Sequence, residues 1–263
     1  MTAAPIQASE LDQAPRDALR RLVLTLADSK RLMGIRYSDW LLGAPSIETG
    51  IAASAMTQDE WGHARLLYSM LKEFGVDPGA VEHERATSEY ASVDALDREL
   101  PDWAALVAAM FIVDGALTVA LDSFARGRYE SARSRVPKMI SEEEFHGSLA
   151  EAWYRRLAAS SEEARGLLRN ATMEMLPSTL AWLGAADAPA RSLVEAGIME
   201  AGPVLLETFT QRVGPLLAEA GVDVGSVAPS EEWDADRGRG PGHPDEESAA
   251  RARGDANRQL LVD

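Results

Sequence analysis

Residues 57–68 read TQDEWGHARLLY, and residues 141–148 read SEEEFHGS. Each stretch holds a glutamate three positions ahead of a histidine: Glu60 and His63 in the first, Glu143 and His146 in the second. At helical pitch, positions i and i+3 share a face, so each pair closes on one point. A carboxylate and an imidazole meeting there suit a divalent metal. One such pair is weak evidence, because both residue types are common on helix surfaces. Two pairs use half of the four histidines in the chain, and this suggests two halves of one site.

The surrounding chain is rich in Ala, Leu, Glu and Arg and lacks alternating β-branched runs, which predicts helices. A first helix is expected from about Pro15 to Leu42, stopping at Gly43-Ala44-Pro45. Ser46 should cap a second helix that ends at Gly75. Residues 76–100 are polar and irregular. A third helix is expected from Pro101-Asp102 to about Arg128, and a fourth from Ser131 to Ala159 with Pro137 near its start. Two more stretches, near 161–184 and 187–220, carry Pro177 and Pro203, each expected to kink its helix. Two short connections and one long one predict an all-α, ferritin-like four-helix bundle with one crossover connection, plus additional C-terminal helices. The expected organisation is an N-terminal tail over 1–14, a di-metal helical domain over 15–221, and a tail over 222–263. That last segment is rich in Gly, Pro and charge. It is expected to wrap the surface or stay disordered, with a short helix in EESAARARGDANRQLL.

Two acids lie where such a bundle would need them. Asp114 falls in the apolar stripe Val107, Met110, Phe111, Leu117 and Leu121, where an uncompensated charge is costly. Asp39 shares a face with Leu32, Ile35 and Leu42, although pairing with Arg36 would also explain it. Asp39, Glu60, His63, Asp114, Glu143 and His146 then form a six-ligand set. It follows the di-metal arrangement of one acid on each of two helices and Glu-x-x-His on each of two others. Ligating histidines hand their second N–H to a carboxylate, and Asp59 and Glu142 are the expected acceptors. Two iron ions are expected, and manganese suits the same donors.

The chain has 263 residues, a net charge of −16 and no cysteine. That acidity opposes nucleic acid and anionic membrane surfaces as partners. The lack of cysteine excludes disulfides, thiolate sites and iron–sulfur clusters, so electrons for redox chemistry would come from a separate reductase. Residues Ala104 to Leu121 approach membrane-span length, but Asp114 interrupts them, and a buried bundle helix is expected. The N-terminal stretch MTAAPIQASELDQAP has neither a basic nor an apolar region, so a cytoplasmic location is expected.

The segments RYSDWLLGAPSIETGIAASAMTQDEWGHARLLY, FIVDGALTVAL and EEEFHGSLAEAWYRRL, and more weakly GRGPGH, resemble the phenylacetic acid catabolic family. This family comprises the ferritin-like oxygenase subunits of the multicomponent phenylacetyl-CoA epoxidase. The likeness covers roughly residues 15–245. It implies a di-iron oxygenase acting on a small-molecule substrate, an aromatic CoA thioester, with a separate reductase and a paralogous subunit or homo-oligomer as partners. Carried over position by position, the ligands of the family's catalytic chain fall on Asp39, Glu60, His63, Asp114, Glu143 and His146. Two departures stand out. The family's first-helix ligand is usually Glu, one methylene longer than Asp39. The spacing from Asp39 to Glu60 and the Gly-rich stretch with His243 look more like the structural subunit. The alternatives are therefore a ferritin-like oxidase for metal storage or peroxide defence, or a non-catalytic structural subunit of the oxygenase.

Overall fold

The computed structural model describes residues 4–260. Its regular structure is all-α and forms a ferritin-like helical bundle. Helix α1 spans Gln13–Asp39 and α2 spans Ile47–Met70, and the two run back along each other as a hairpin. Ser46 caps α2 as expected, its Oγ accepting from Thr49 N at 3.2 Å. Gly34 lets the pair approach closely: a Cβ there would lie 2.5 Å from the Trp61 ring and 3.1 Å from Glu60 Cβ.

Residues 76–100 form the crossover, which contains a short helix α3, Pro78–His83. Buried Asp28 on α1 pins this connection. It accepts hydrogen bonds from Tyr68 Oη at 2.6 Å, Arg85 Nη2 at 2.5 Å and Ala91 N at 2.8 Å. Helix α4, Trp103–Arg126, is capped by Asp102 and is the apolar segment noted above. Its most apolar window is entirely buried by the other helices. Residues Ala109–Asp114 are wound as a π-helical stretch, a local widening common at functional sites. Helix α5, Glu130–Ala158, pairs with α4. α1, α2, α4 and α5 are the four bundle helices.

Helices α6, Glu162–Leu183, and α8, Gly202–Glu219, cover α4, and α7, Ala188–Glu195, packs on α1. The expected helix over 187–220 is thus two helices. Pro203 lies in the first turn of α8, where its missing N–H has no helical partner to lose, so it starts a helix and does not kink one. Pro177 lies inside α6.

The C-terminal segment folds back onto the body. Buried Arg239 pairs with Asp94 at 2.8 Å and with Asp97, both in the crossover. Helix α9, Glu246–Arg253, packs against α1 and α3, and Ala252 O accepts from Arg31 Nε at 2.8 Å. Residues 1–3 of the expected N-terminal tail and 261–263 of the C-terminal one lie outside the described residues.

Candidate metal centre

Five of the six expected ligands meet in the bundle core: Glu60 and His63 from α2, Asp114 from α4, Glu143 and His146 from α5. All are buried. Ligand atoms of Glu60, Asp114, Glu143 and His146 lie within 4.8 Å of one another, a cluster able to hold a metal ion. The i,i+3 spacing brings each Glu and His of a pair to the same interior face, as the sequence pattern implies.

Asp39 is not among them. It ends α1, where Arg36 Nη1 at 3.0 Å and Arg251 Nη1 at 2.5 Å hold its carboxylate. Position 39 is nine residues past the centre of the cluster on α1, a displacement of about 13 Å along a helix axis. The apolar neighbours Ile35 and Leu32 put Asp39 on a buried face, but at the wrong height.

Sequence reasoning passed over the group that α1 does contribute. Lys30 is fully buried, and its ammonium lies 2.5 Å from Asp114 Oδ1, 2.5 Å from Glu143 Oε1 and 3.0 Å from Glu60 Oε1. Its position could have been noticed: Leu26, Ala27, Met33 and Tyr37 surround it at helical spacing on a core-facing stripe. Tyr37 is buried on the same face and donates from Oη to Asp114 Oδ2 at 2.8 Å. Thr118 Oγ1 donates to Glu143 Oε2 at 3.1 Å.

The two histidines present Nδ1 inward and Nε2 outward. His63 Nε2 meets Glu142 Oε2 at 2.8 Å, and His146 Nε2 meets Asp59 Oδ2 at 3.4 Å. Both expected acceptors therefore contact a histidine, and each serves the histidine of the opposite helix. An acceptor-only carboxylate at Nε2 directs the Nδ1 lone pair toward the interior. His63 Nδ1 lies 3.1 Å from Glu143 Oε1, the oxygen that Lys30 holds. His146 Nδ1 lies 3.2 Å from Glu60 Oε1, 3.6 Å from Asp114 Oδ2 and 3.7 Å from Glu143 Oε2.

The electrostatics report an excess of negative charge. Burial opposes a charged His146 ring, but the close carboxylates of Asp114 and Glu60 outweigh it and push the ring up to about 11. Burial and the neighbouring Asp114 charge raise Glu60 to about 7, against the pull of Lys30. For Lys30 itself, burial works against the charge, yet the three carboxylates hold its ammonium well above the ordinary lysine range. Asp114 moves the opposite way: burial works against its ionisation, but Lys30 and His146 hold it below the usual carboxylate range.

The donor set bears on metal fit. His63 Nδ1, His146 Nδ1 and Glu60 Oε2 are buried without a hydrogen-bond partner among the described residues. Buried polar atoms are rarely left so, and a bound ion is one resolution. The expected centre has four carboxylates, but this core has three, and a lysine ammonium lies among them.

The family model described as phenylacetic acid catabolic protein matches residues 1–253. One of the subunits of 1,2-phenylacetyl-CoA epoxidase from Escherichia coli (strain K12) is similar to this chain, at 24% identity over 161 residues. The match covers 61% of this chain and 52% of that relative, so the chain spans about half the relative's length. With residues 1–253 matched by the family model, the chain belongs to the phenylacetic acid catabolic protein family.

Proposed function

We propose that this chain is a structural subunit of a phenylacetyl-CoA epoxidase-type oxygenase, closed at its core by Lys30 where an O2-activating chain would carry a second metal. The observation behind this reading is the Lys30 ammonium among Glu60, Asp114 and Glu143. An ammonium there neutralises carboxylates as a metal would, but it has no redox chemistry and no open coordination position. The chain keeps the helical frame, which can pack against a metal-bearing paralogue. In the assembly, the substrate is an aromatic CoA thioester, and a separate reductase supplies electrons. The Escherichia coli relative is one subunit of an epoxidase, which is consistent with such a role.

Reconstitution tests this. The purified chain, supplied with iron, reductase and phenylacetyl-CoA, should form no epoxide, whereas the chain co-purified with a metal-bearing paralogue should support turnover. Epoxide formation by the chain alone would overturn the reading.

A second reading is that this chain is itself the di-iron oxygenase. Two intact Glu-x-x-His pairs and the likeness to the Escherichia coli epoxidase chain favour it. It requires Lys30 to leave the three carboxylates when a second metal ion enters.

A further inference from the structure

Each carboxylate around Lys30 gives the ammonium one oxygen; the second oxygen of Asp114 accepts from Tyr37 Oη at 2.8 Å and that of Glu143 from Thr118 Oγ1 at 3.1 Å. Asp114 gives Oδ1 to Lys30 and turns Oδ2 toward His146 Nδ1, and Glu143 likewise gives Oε1 to Lys30 and turns Oε2 toward His146. Glu60 keeps Oε2 buried and unpartnered. His146 Nδ1 is also unpartnered, in a residue 2% exposed. Its separations from the three carboxylates are 3.2, 3.6 and 3.7 Å. Metal–ligand bonds of about 2.1 Å place tetrahedral neighbours roughly 3.4 Å apart. The three nitrogen–oxygen separations bracket that value, and ligand atoms of all four residues lie within 4.8 Å of one another.

Charge leads to the same count. A metal-bound core has neutral imidazoles and ionised carboxylates, and in that form three carboxylates against one ammonium carry two negative charges for the ion to cancel. One divalent cation cancels them. A second would leave the core with two excess positive charges.

We infer that the core binds a single divalent cation through Glu60, Asp114, Glu143 and His146, with Lys30 retained beside it as the other positive charge. Asp114 and Glu143 bridge the ion and the ammonium, one oxygen to each. Three oxygens and one imidazole suit zinc, manganese or iron(II). His63 stays on the Lys30 side and does not bind the ion. The inference concerns the isolated chain and does not depend on membership of an oxygenase assembly.

Chelator-treated full-length chain is titrated with Zn(II) by calorimetry, with parallel metal analysis after gel filtration. One ion per chain is expected, lost in both His146→Ala and Glu60→Gln. No retained ion, two retained ions, or one ion that survives both substitutions overturns the inference. If the variants do not fold, Mn(II)-loaded wild type carries the test. Electron–nuclear coupling to one imidazole nitrogen is expected, and coupling to none or to two overturns the inference. Failure here would leave the structural-subunit reading standing, because that reading is tested by turnover with and without the paralogue.

Discussion

At the scale of single residues, one side chain decides the chemistry. Lys30 has the interior position on α1 that a first-helix acid would need, and Asp39 is held at the helix end by two arginines. Lys30→Glu restores the fourth carboxylate and should raise the metal content from one ion per chain to two, read by metal analysis. Lys30→Met leaves three buried carboxylates without their ammonium and should destabilise the metal-free chain by roughly 3–5 kcal/mol in urea unfolding. Asp39→Asn, by contrast, should leave the metal count unchanged. The meeting of five of the six expected residues in the core was legible in the sequence because Glu-x-x-His fixes its own geometry, and because an acid in an apolar helix needs a partner. The sixth could not. An acid near the end of an amphipathic helix reads the same whether it faces a metal or an arginine 212 positions away, and Arg251 is brought there only by the returning C-terminal segment. For Lys30, the flanking Leu26, Ala27, Met33 and Tyr37 mark a core-facing position, but that pattern does not separate a lysine that inserts its ammonium into the core from one that reaches solvent along an apolar face.

At the scale of elements, capping and periodicity placed the four bundle helices within a few residues. Ser46 acts as the N-cap expected of it, and Asp102, expected at the start of the third helix, caps that helix. Pro203 misled because a proline inside an apolar run reads equally as a kink or as a first turn, and only the break after α7 distinguishes them. The π-helical stretch of α4 lies in a run whose composition suits an ordinary α-helix equally well, and its end carries Asp114 into the core. The crossover illustrates how an irregular segment is held. Asp28 accepts from a tyrosine, an arginine and a backbone amide. Asp28→Ala strands Arg85, which lies against the Tyr90 ring at 4.5 Å, and should cost about 3–5 kcal/mol of stability. Hydrogen exchange of residues 85–96 should accelerate in that variant more than exchange within α5. Equal acceleration throughout would mean that Asp28 supports the whole bundle and not the crossover.

At the scale of the whole molecule, the net charge of −16 is an average that hides a buried core with its own imbalance. In the metal-free chain, His146 is raised from 6.5 to about 11 and Glu60 from 4.5 to about 7. Both mean that the folded state binds more protons than the unfolded state. The Glu60 contribution therefore fades as pH rises from about 4.5 through 7, and that of His146 fades from 6.5 toward 11. Asp114 and Glu143 are shifted down, and their opposing contribution is complete once the pH exceeds their ordinary range. Thermal midpoints of chelator-treated protein should thus fall between about pH 5 and 9. Saturating Zn(II) should reduce the fall, because the ion takes the place of the extra protons. A midpoint that rises over this range without metal would contradict the charge excess. The central claim is that an ammonium and one metal ion share the three carboxylates. A crystal structure of the full chain grown with Mn(II), with the ions located by anomalous scattering, tests it most directly. The expected result is one anomalous peak beside His146 Nδ1, with Lys30 still bonded to Glu143 and Asp114. Two peaks with the lysine displaced, or no peak at all, would contradict it.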